Sequence, residues 1–269
     1  MATNKNAIVL GCSSGYGKAI TMELARKGYN IYGAHLDMGK AKLAVEEFRQ
    51  SLEAMGVKAV FFNMNAADEK NRAKIIDEIK ASGNPGVDVF VHSLAFGAIG
   101  PFFADNREEE ITPKKMEMTF NIMASSLLYW CQELFHSGLF RKGARIFALS
   151  SSGSTRVMVN YGGISVAKAA LEAYIRQIAW ELAPHGITAN TILAGVCDTP
   201  AGRKIPTFDG LLRYLRYQSP FKRNTEAPDV AKAIGLLCEP ESYWITGQVI
   251  NVDGGENLGN QYSFLDNKE

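Results

Sequence analysis

The chain predicts an α/β fold, a parallel sheet of seven strands with helices on both faces, on three observations. Seven short apolar runs recur along its 269 residues, longer segments with helical spacing lie between them, and no linker-like stretch interrupts the alternation. Strand, helix and strand in turn form βαβ units, whose crossovers place parallel strands side by side. The runs are AIVLG (7–11), YNIYGAH (29–35), KAVFFNM (58–64), VDVFVHS (87–93), ARIFALS (144–150), ITANTILA (187–194) and QVINVDG (248–254). They are strand-length and often rich in Val, Ile and Phe, as strands buried on both faces are. KAITMELARKG (18–28), KLAVEEFRQSLEAMG (42–56) and AKIIDEIKASG (73–83) carry helical spacing and end in glycine, a common helix stop. Longer helices are expected over 111–138 and 165–183. With no repeat of solenoid period and no Pro/Ser-rich linker, one domain over 1–269 is expected. The least regular part, 196–225, holds Pro200, Pro206 and Pro220 and a short amphipathic piece, GLLRYLRY. Its place after the sixth strand makes it a candidate lid.

Composition narrows the function classes. A hydrophobic content of 46% supports one sizeable core. Lys plus Arg is 29 and Asp plus Glu 28, so no bulk field draws the protein to nucleic acid or anionic lipid. No run approaches the ~18 apolar residues of a membrane helix. Cys12, Cys131, Cys197 and Cys238 are scattered, with no C-x-x-C pair, and the start MATNKNAIVL does not read as a signal peptide; a cytoplasmic location is expected. The four histidines neither cluster nor adjoin the cysteines, so no metal site is expected from them.

In AIVLGCSSGYGKAI the glycines Gly11, Gly15 and Gly17 fall between the first strand and the first helix. Glycines there permit a tight turn and let a pyrophosphate approach backbone N–H groups at the positive end of the helix dipole. The spacing is G-x-x-x-G-x-G. Further on, NYGGISVAKAALEAY sets Tyr161 seven positions before Lys168. If a helix runs through both, offsets of four and of seven each keep the two side chains on one face, since each lies within about 40° of whole turns. The seven-residue offset moves the hydroxyl about 4.5 Å along the axis. Gly162 and Gly163 are poor helix formers, and the helix starts after Tyr161 if they break it.

These motifs, with Asn65 in NMNAAD, HSLAFG at 92–97 and ITGQVINVDGG at 245–255, resemble those of the short-chain dehydrogenase/reductase family from about residue 5 to about residue 258. The resemblance implies a Rossmann-like doubly wound sheet and a nicotinamide cofactor held by Gly11, Ser13, Ser14, Gly15, Tyr16, Gly17, Asp37, Asn65, Ser93, Lys168, Gly195 and Thr199. Most of the family spaces the tyrosine and lysine by four; the spacing here is similar to that of its enoyl-acyl-carrier-protein reductases, as is Ala194–Gly195 in place of Pro-Gly. The G-x-x-x-G-x-G loop instead resembles the wider family, so the likeness is to an enoyl-reductase branch that keeps that loop. Tyr161 and Lys168 are then the catalytic pair, with Ser151 in the family's serine position and Asn121 in the position of its helix asparagine, where it supports a water relay. Of the neighbours Ser150, Ser151 and Ser152, strand alternation lets only one register serve the site. Phe96 and Phe208, with Tyr161, are expected to wall the substrate site.

The implied activity is hydride transfer to the β carbon of a trans-2-enoyl thioester, on acyl carrier protein or coenzyme A, in fatty-acid or related biosynthesis. Reduction of a conjugated C=C places charge on the thioester oxygen, away from the carbon that takes hydride, and a displaced hydroxyl suits that geometry. A 3-oxoacyl-thioester or other carbonyl reductase, and a nicotinamide-binding sensor without turnover, stay open. Asp37, two positions after the usual acidic site, favours NADH, whereas Lys40 or Lys42 holding a 2′-phosphate would favour NADPH. By the same resemblance, helices 111–138 and 165–183 would form the interfaces of a homotetramer.

Overall fold

Strand β1 (Asn6–Leu10) is buried throughout, with Ile8 and Leu10 facing one helical layer and Ala7 and Val9 the other. A run of consecutive apolar residues is satisfied only by such two-sided burial. The computed structural model describes residues 5–258 except Pro206; residues 1–4, Pro206 within the expected lid, and 259–269 of the expected domain lie outside the described residues. Strands β2 (Asn30–His35), β3 (Ala59–Asn63), β4 (Val87–His92), β5 (Phe140–Ser150), β6 (Thr188–Ala194) and β7 (Val249–Val252) complete one parallel sheet in the order β3-β2-β1-β4-β5-β6-β7. The Rossmann-like, doubly wound seven-stranded sheet expected from the sequence is thus the fold. Because β1 lies between β2 and β4, the chain winds outward in both directions from it, and a crevice opens beyond the carboxyl ends of β1 and β4.

Helices α1 (Gly15–Arg26) and α2 (Ala41–Glu53) start one layer, and α3 (Glu69–Ala81) belongs to the other. The start of α3 lies four residues ahead of the apolar spacing, because the Asp68 side chain accepts from Asn71 N and caps a polar first turn. Strand β5 likewise begins earlier than its apolar run. Its pairing jumps from Val87–Phe140 to Val89–Arg145, and the bulge carries polar residues that conceal the first pair.

The single long helix expected over 111–138 is corrected. The chain forms α4 (Pro113–Phe120), one π-helical turn over Asn121–Ser125, and α5 (Ser126–His136). After these come α6 (Gly162–Leu182), α7 (Phe208–Gln218) and α8 (Ala227–Leu237). Helices α3, α5 and α6 share one core with a face of the sheet, and α1, α2 and α8 share the other.

Trp130 of α5 is 0% exposed and donates Nε1–H to Ala66 O at 2.8 Å, joining α5 to the turn after β3. Trp130→Ala is expected to cost about 3–5 kcal/mol in urea unfolding. Trp130→Phe, which keeps much of the volume but leaves the Ala66 carbonyl unpaired, should cost about 1–3 kcal/mol.

Candidate active site

The glycine turn is built by close backbone approach. Gly11 has φ 85°, and a Cβ there would stand 2.5 Å from Ser93 O at the end of β4. A Cβ on Gly17 would fall 1.9 Å from Gly11 O, so a side chain at either place would push α1 off the sheet. Gly15, at φ 51°, faces Thr199 Cγ2 at 3.1 Å. Ser14, the N-cap of α1, makes no side-chain cap bond, and the first turn carries no acidic residue. The N-terminus of α1 therefore keeps its positive end for a ligand, and this cradle of bare backbone fits a dinucleotide pyrophosphate.

Tyr161 is the N-cap of α6, with φ −100° and ψ 1°, and its carbonyl accepts the helix's first bond from Ser165 N. The helix begins at Gly162, so the same-face arithmetic does not apply to Tyr161. Its ring instead lies over Gly153, where a Cβ would meet it at 2.7 Å. Gly162 and Gly163 have a packing reason: a Cβ on the first would stand 2.7 Å from the Phe102 ring, and one on the second 3.2 Å from Met116 Sδ. Without side chains there, the loop after β4 lies down on the helix and closes over the tyrosine.

Lys168 is buried on α6 and donates Nζ–H to Leu149 O at 2.5 Å, at the end of β5. Burial lowers its pKa from the usual 10.5 to about 8, opposed by the charge of Glu172. Burial raises the Tyr161 phenol, and the adjacent Ser151 hydroxyl draws it partly back. That contact falls short of good hydrogen-bond geometry, and Ser151 Oγ is otherwise buried without a partner. His92, at the end of β4, is depressed to about 3 by burial and then by the charge of Lys168, and is neutral. Its ring Nε2 meets Ser126 Oγ at 2.8 Å.

A cavity of about 290 Å³ gathers Tyr16, Ser93, Phe96, Ser151, Tyr161, Lys168, Gly195, Thr199 and Phe208. The structure thus brings together most of the expected catalytic, nicotinamide-end and substrate residues. Tyr16 OH donates to Gly195 O at 2.5 Å, tying the glycine turn to the end of β6, and Thr199 Oγ1 accepts from Gly202 N. Asn121 stands apart: it is exposed at the start of the π turn and does not line the cavity, which takes Met123 instead.

Asp37 and Asn65 lie farther along the crevice, beyond β2 and β3. Asp37 Oδ2 meets His35 Nδ1 at 2.9 Å, and its backbone N and O are both bound by the Asn63 side chain. Asn65 Oδ1 accepts from Ala67 N, which leaves its amide N–H groups for a ligand. Ser13 and Ser14 flank the turn without side-chain bonds of their own. Several cavity residues carry no motif, among them Met123, Met158 and Lys204. Ile164, in the first turn of α6, lines the cavity as well.

The expected lid contains a 3₁₀ turn (Gly202–Lys204) and α7. Phe208 is buried against Gly202, where a Cβ would stand 2.5 Å from its ring, and Lys204 Nζ lies 5.5 Å from the Phe96 ring centroid across the cavity. Arg203 pairs with Asp198 at 2.5 Å and with Asp209 at 3.4 Å.

A family model described as Enoyl-(Acyl carrier protein) reductase matches residues 11–257. The chain is 28% identical over 260 residues to Enoyl-(acyl-carrier-protein) reductase (NADH) FabI of Escherichia coli, covering 95% of each. It is 27% identical over 259 residues to an NADPH-dependent aldehyde reductase-like protein, chloroplastic, of Arabidopsis thaliana, covering 93% of each. In fold it matches the crystal structure of enoyl-(acyl-carrier-protein) reductase (NADH) from Aquifex aeolicus VF5, with a TM-score of 0.83 at 24% identity over 96% of this chain and 98% of that one.

Gly17→Ala is expected to weaken binding of NADH and NADPH at least about tenfold in calorimetric titration and to destabilise the fold by about 1–3 kcal/mol. Gly83→Ala, where a Cβ meets nothing within 4 Å, is the control and should change neither.

Proposed function

The chain belongs to the short-chain dehydrogenase/reductase family, in the group whose model is described as enoyl-(acyl carrier protein) reductase, and on that premise of a nicotinamide-dependent oxidoreductase we propose that it reduces the C=C bond of an enoyl thioester. The observation that carries the reading is the position of Tyr161. It stands seven residues before Lys168, outside the first turn of α6, and borders the cavity. When bound, the nicotinamide supplies hydride. The residues of this chain then have to meet charge that develops on the thioester oxygen, some bonds from the carbon being reduced.

In this proposal the Tyr161 phenol donates a hydrogen bond to that oxygen and stabilises the enolate. Burial, which keeps the phenol protonated, suits a donor. Lys168 holds the nicotinamide ribose and turns its positive charge toward Tyr161. Gly11, Ser13, Ser14, Gly15, Tyr16 and Gly17 hold the pyrophosphate end, Asn65 the adenine, and Ser93, Gly195 and Thr199 the nicotinamide end. Phe96 and Phe208 bound the acyl group, with the 196–225 segment as lid. We assign NADH as the preferred cofactor because Asp37 would repel a 2′-phosphate. A homotetramer is part of the same reading, supported by the exposed Tyr129 and Phe135 on α5 and Val166 and Trp180 on α6. So is a cytoplasmic location; among the described residues no helix is long and apolar enough to cross a membrane.

One observation favours a second reading. Ser151 Oγ is buried beside Tyr161 without a partner, as a hydroxyl that helps bind a ketone oxygen would be. The sequence was compatible with this carbonyl-reductase chemistry too.

The two readings separate when oxidation of NADH and of NADPH is followed at 340 nm with crotonyl- and acetoacetyl-thioesters in parallel. Faster turnover of the crotonyl compound, with NADH preferred, is expected; faster turnover of the acetoacetyl compound makes the protein a carbonyl reductase. In the first case Tyr161→Phe should lower kcat about 10²- to 10³-fold while leaving nucleotide affinity within about twofold. An unchanged kcat removes Tyr161 from the mechanism.

A further inference from the structure

Lys168 is not the only ionisable group buried on its helix. Glu172, one turn further along α6, is 8% exposed, against 5% for Lys168. Its Oε1 accepts from Ser150 Oγ at 2.5 Å, while Lys168 Nζ donates to Leu149 O on the preceding residue of β5. Two opposite charges four residues apart on one helix are therefore fastened to consecutive residues of one strand end. An ammonium and a carboxylate taken out of water together each lower the cost of burying the other, and either one alone would be driven to its neutral form.

We infer that Glu172 is a positioning residue of the site, whose carboxylate, held by Ser150, is the counter-charge that keeps the buried Lys168 an ammonium and seated on β5. This inference rests on Lys168 acting as a cation in the proposed reaction, but not on which thioester is reduced. The charges around Lys168 single out Glu172. Of β4, His92 at the near end is neutral and Asp88 at the far end pairs with Arg141, and from the N-terminus of α6 comes only Tyr161, whose phenol stays protonated. Arg141, Lys142 and Arg145 of β5 lie at its far end, and Arg145 is bound to Gly143 O. The π turn, the 152–154 turn and β6 carry no charged residue. Lys114, Lys115 and Glu117 of α4 and Glu133 and His136 of α5 are exposed.

Without Glu172, burial acts on Lys168 unopposed. Its pKa, already lowered to about 8, falls further, and the ammonium is lost at a lower pH. The sign is fixed: the high-pH limb of activity moves toward acid.

The test is the ¹³C NMR titration of protein labelled at lysine Cε, with the Lys168 signal identified as the one that Lys168→Met removes. Glu172→Gln, which retains an acceptor for Ser150 but no charge, is expected to lower the Lys168 pKa by about one unit and to shift the high-pH limb of turnover with it. Glu172→Asp should restore most of that shift. Ser150→Ala, which removes the hydrogen bond but leaves the charge, should lower the thermal midpoint and move the titration by less than about 0.3 units. A Lys168 pKa unmoved in Glu172→Gln overturns the inference, as does Ser150→Ala moving it equally. The titration needs no substrate, so an absence of turnover with either thioester counts against the proposed reaction and leaves this result to be read by itself.

Discussion

The arrangement depends on how closely three pieces of backbone meet at the carboxyl end of β1. Gly11, Gly17 and the Ser93 carbonyl approach to distances that no side chain tolerates. Because α1 can press down there, its N-terminus points into the crevice between β1 and β4, and Tyr16 in its first turn reaches the carbonyl of Gly195 beyond β6. One steric condition thus links the first helix, the middle of the sheet and the base of the 196–225 segment. The helix dipole then comes free of rivals, since the first turn is neither capped by a side chain nor acidic.

On the other face, the same end of the sheet is organised by α6. A helix starting immediately after Tyr161 carries Lys168 down to β5, and the glycines at its start admit the loop after β4. The tyrosine is held by packing against Gly153 on one side, with its neighbour Gly162 beneath Phe102. Its height relative to the lysine is consequently a property of three loops as much as of helix pitch. Electrostatic help in catalysis requires such fixed placement, because a group that must reorganise loses much of its advantage.

Most of the sheet was legible because buried parallel strands are continuous apolar runs, and each run found its strand within a residue or two except β5. The first four residues of α3 were hidden because a polar first turn relies on the Asp68 cap and not on apolar spacing. At the site, Gly11, Gly15, Gly17, Tyr161 and Lys168 were readable, as residues whose type is forced by close approach or by chemistry. Ser151 was readable only through resemblance, and its separation from Ser150 required the actual register of β5, in which one hydroxyl turns to Glu172 and the next stays beside Tyr161. Met123 and Met158 were not readable, since an apolar residue lining a cavity has the same signature as one in a core.

The π turn at Asn121–Ser125 has a consequence for how this chain can change length. A π turn holds one residue more than an α turn. Removing a single residue there would heal the backbone into one regular helix. It would leave α5 nearly in phase, because both kinds of turn complete one revolution, so Trp130 would still meet the Ala66 carbonyl and Ser126 still meet His92. The irregular turn is thus a place where one residue can leave without changing which sides of the two helices face the core, and a sequence alignment that opens a one-residue gap across it keeps both faces matched.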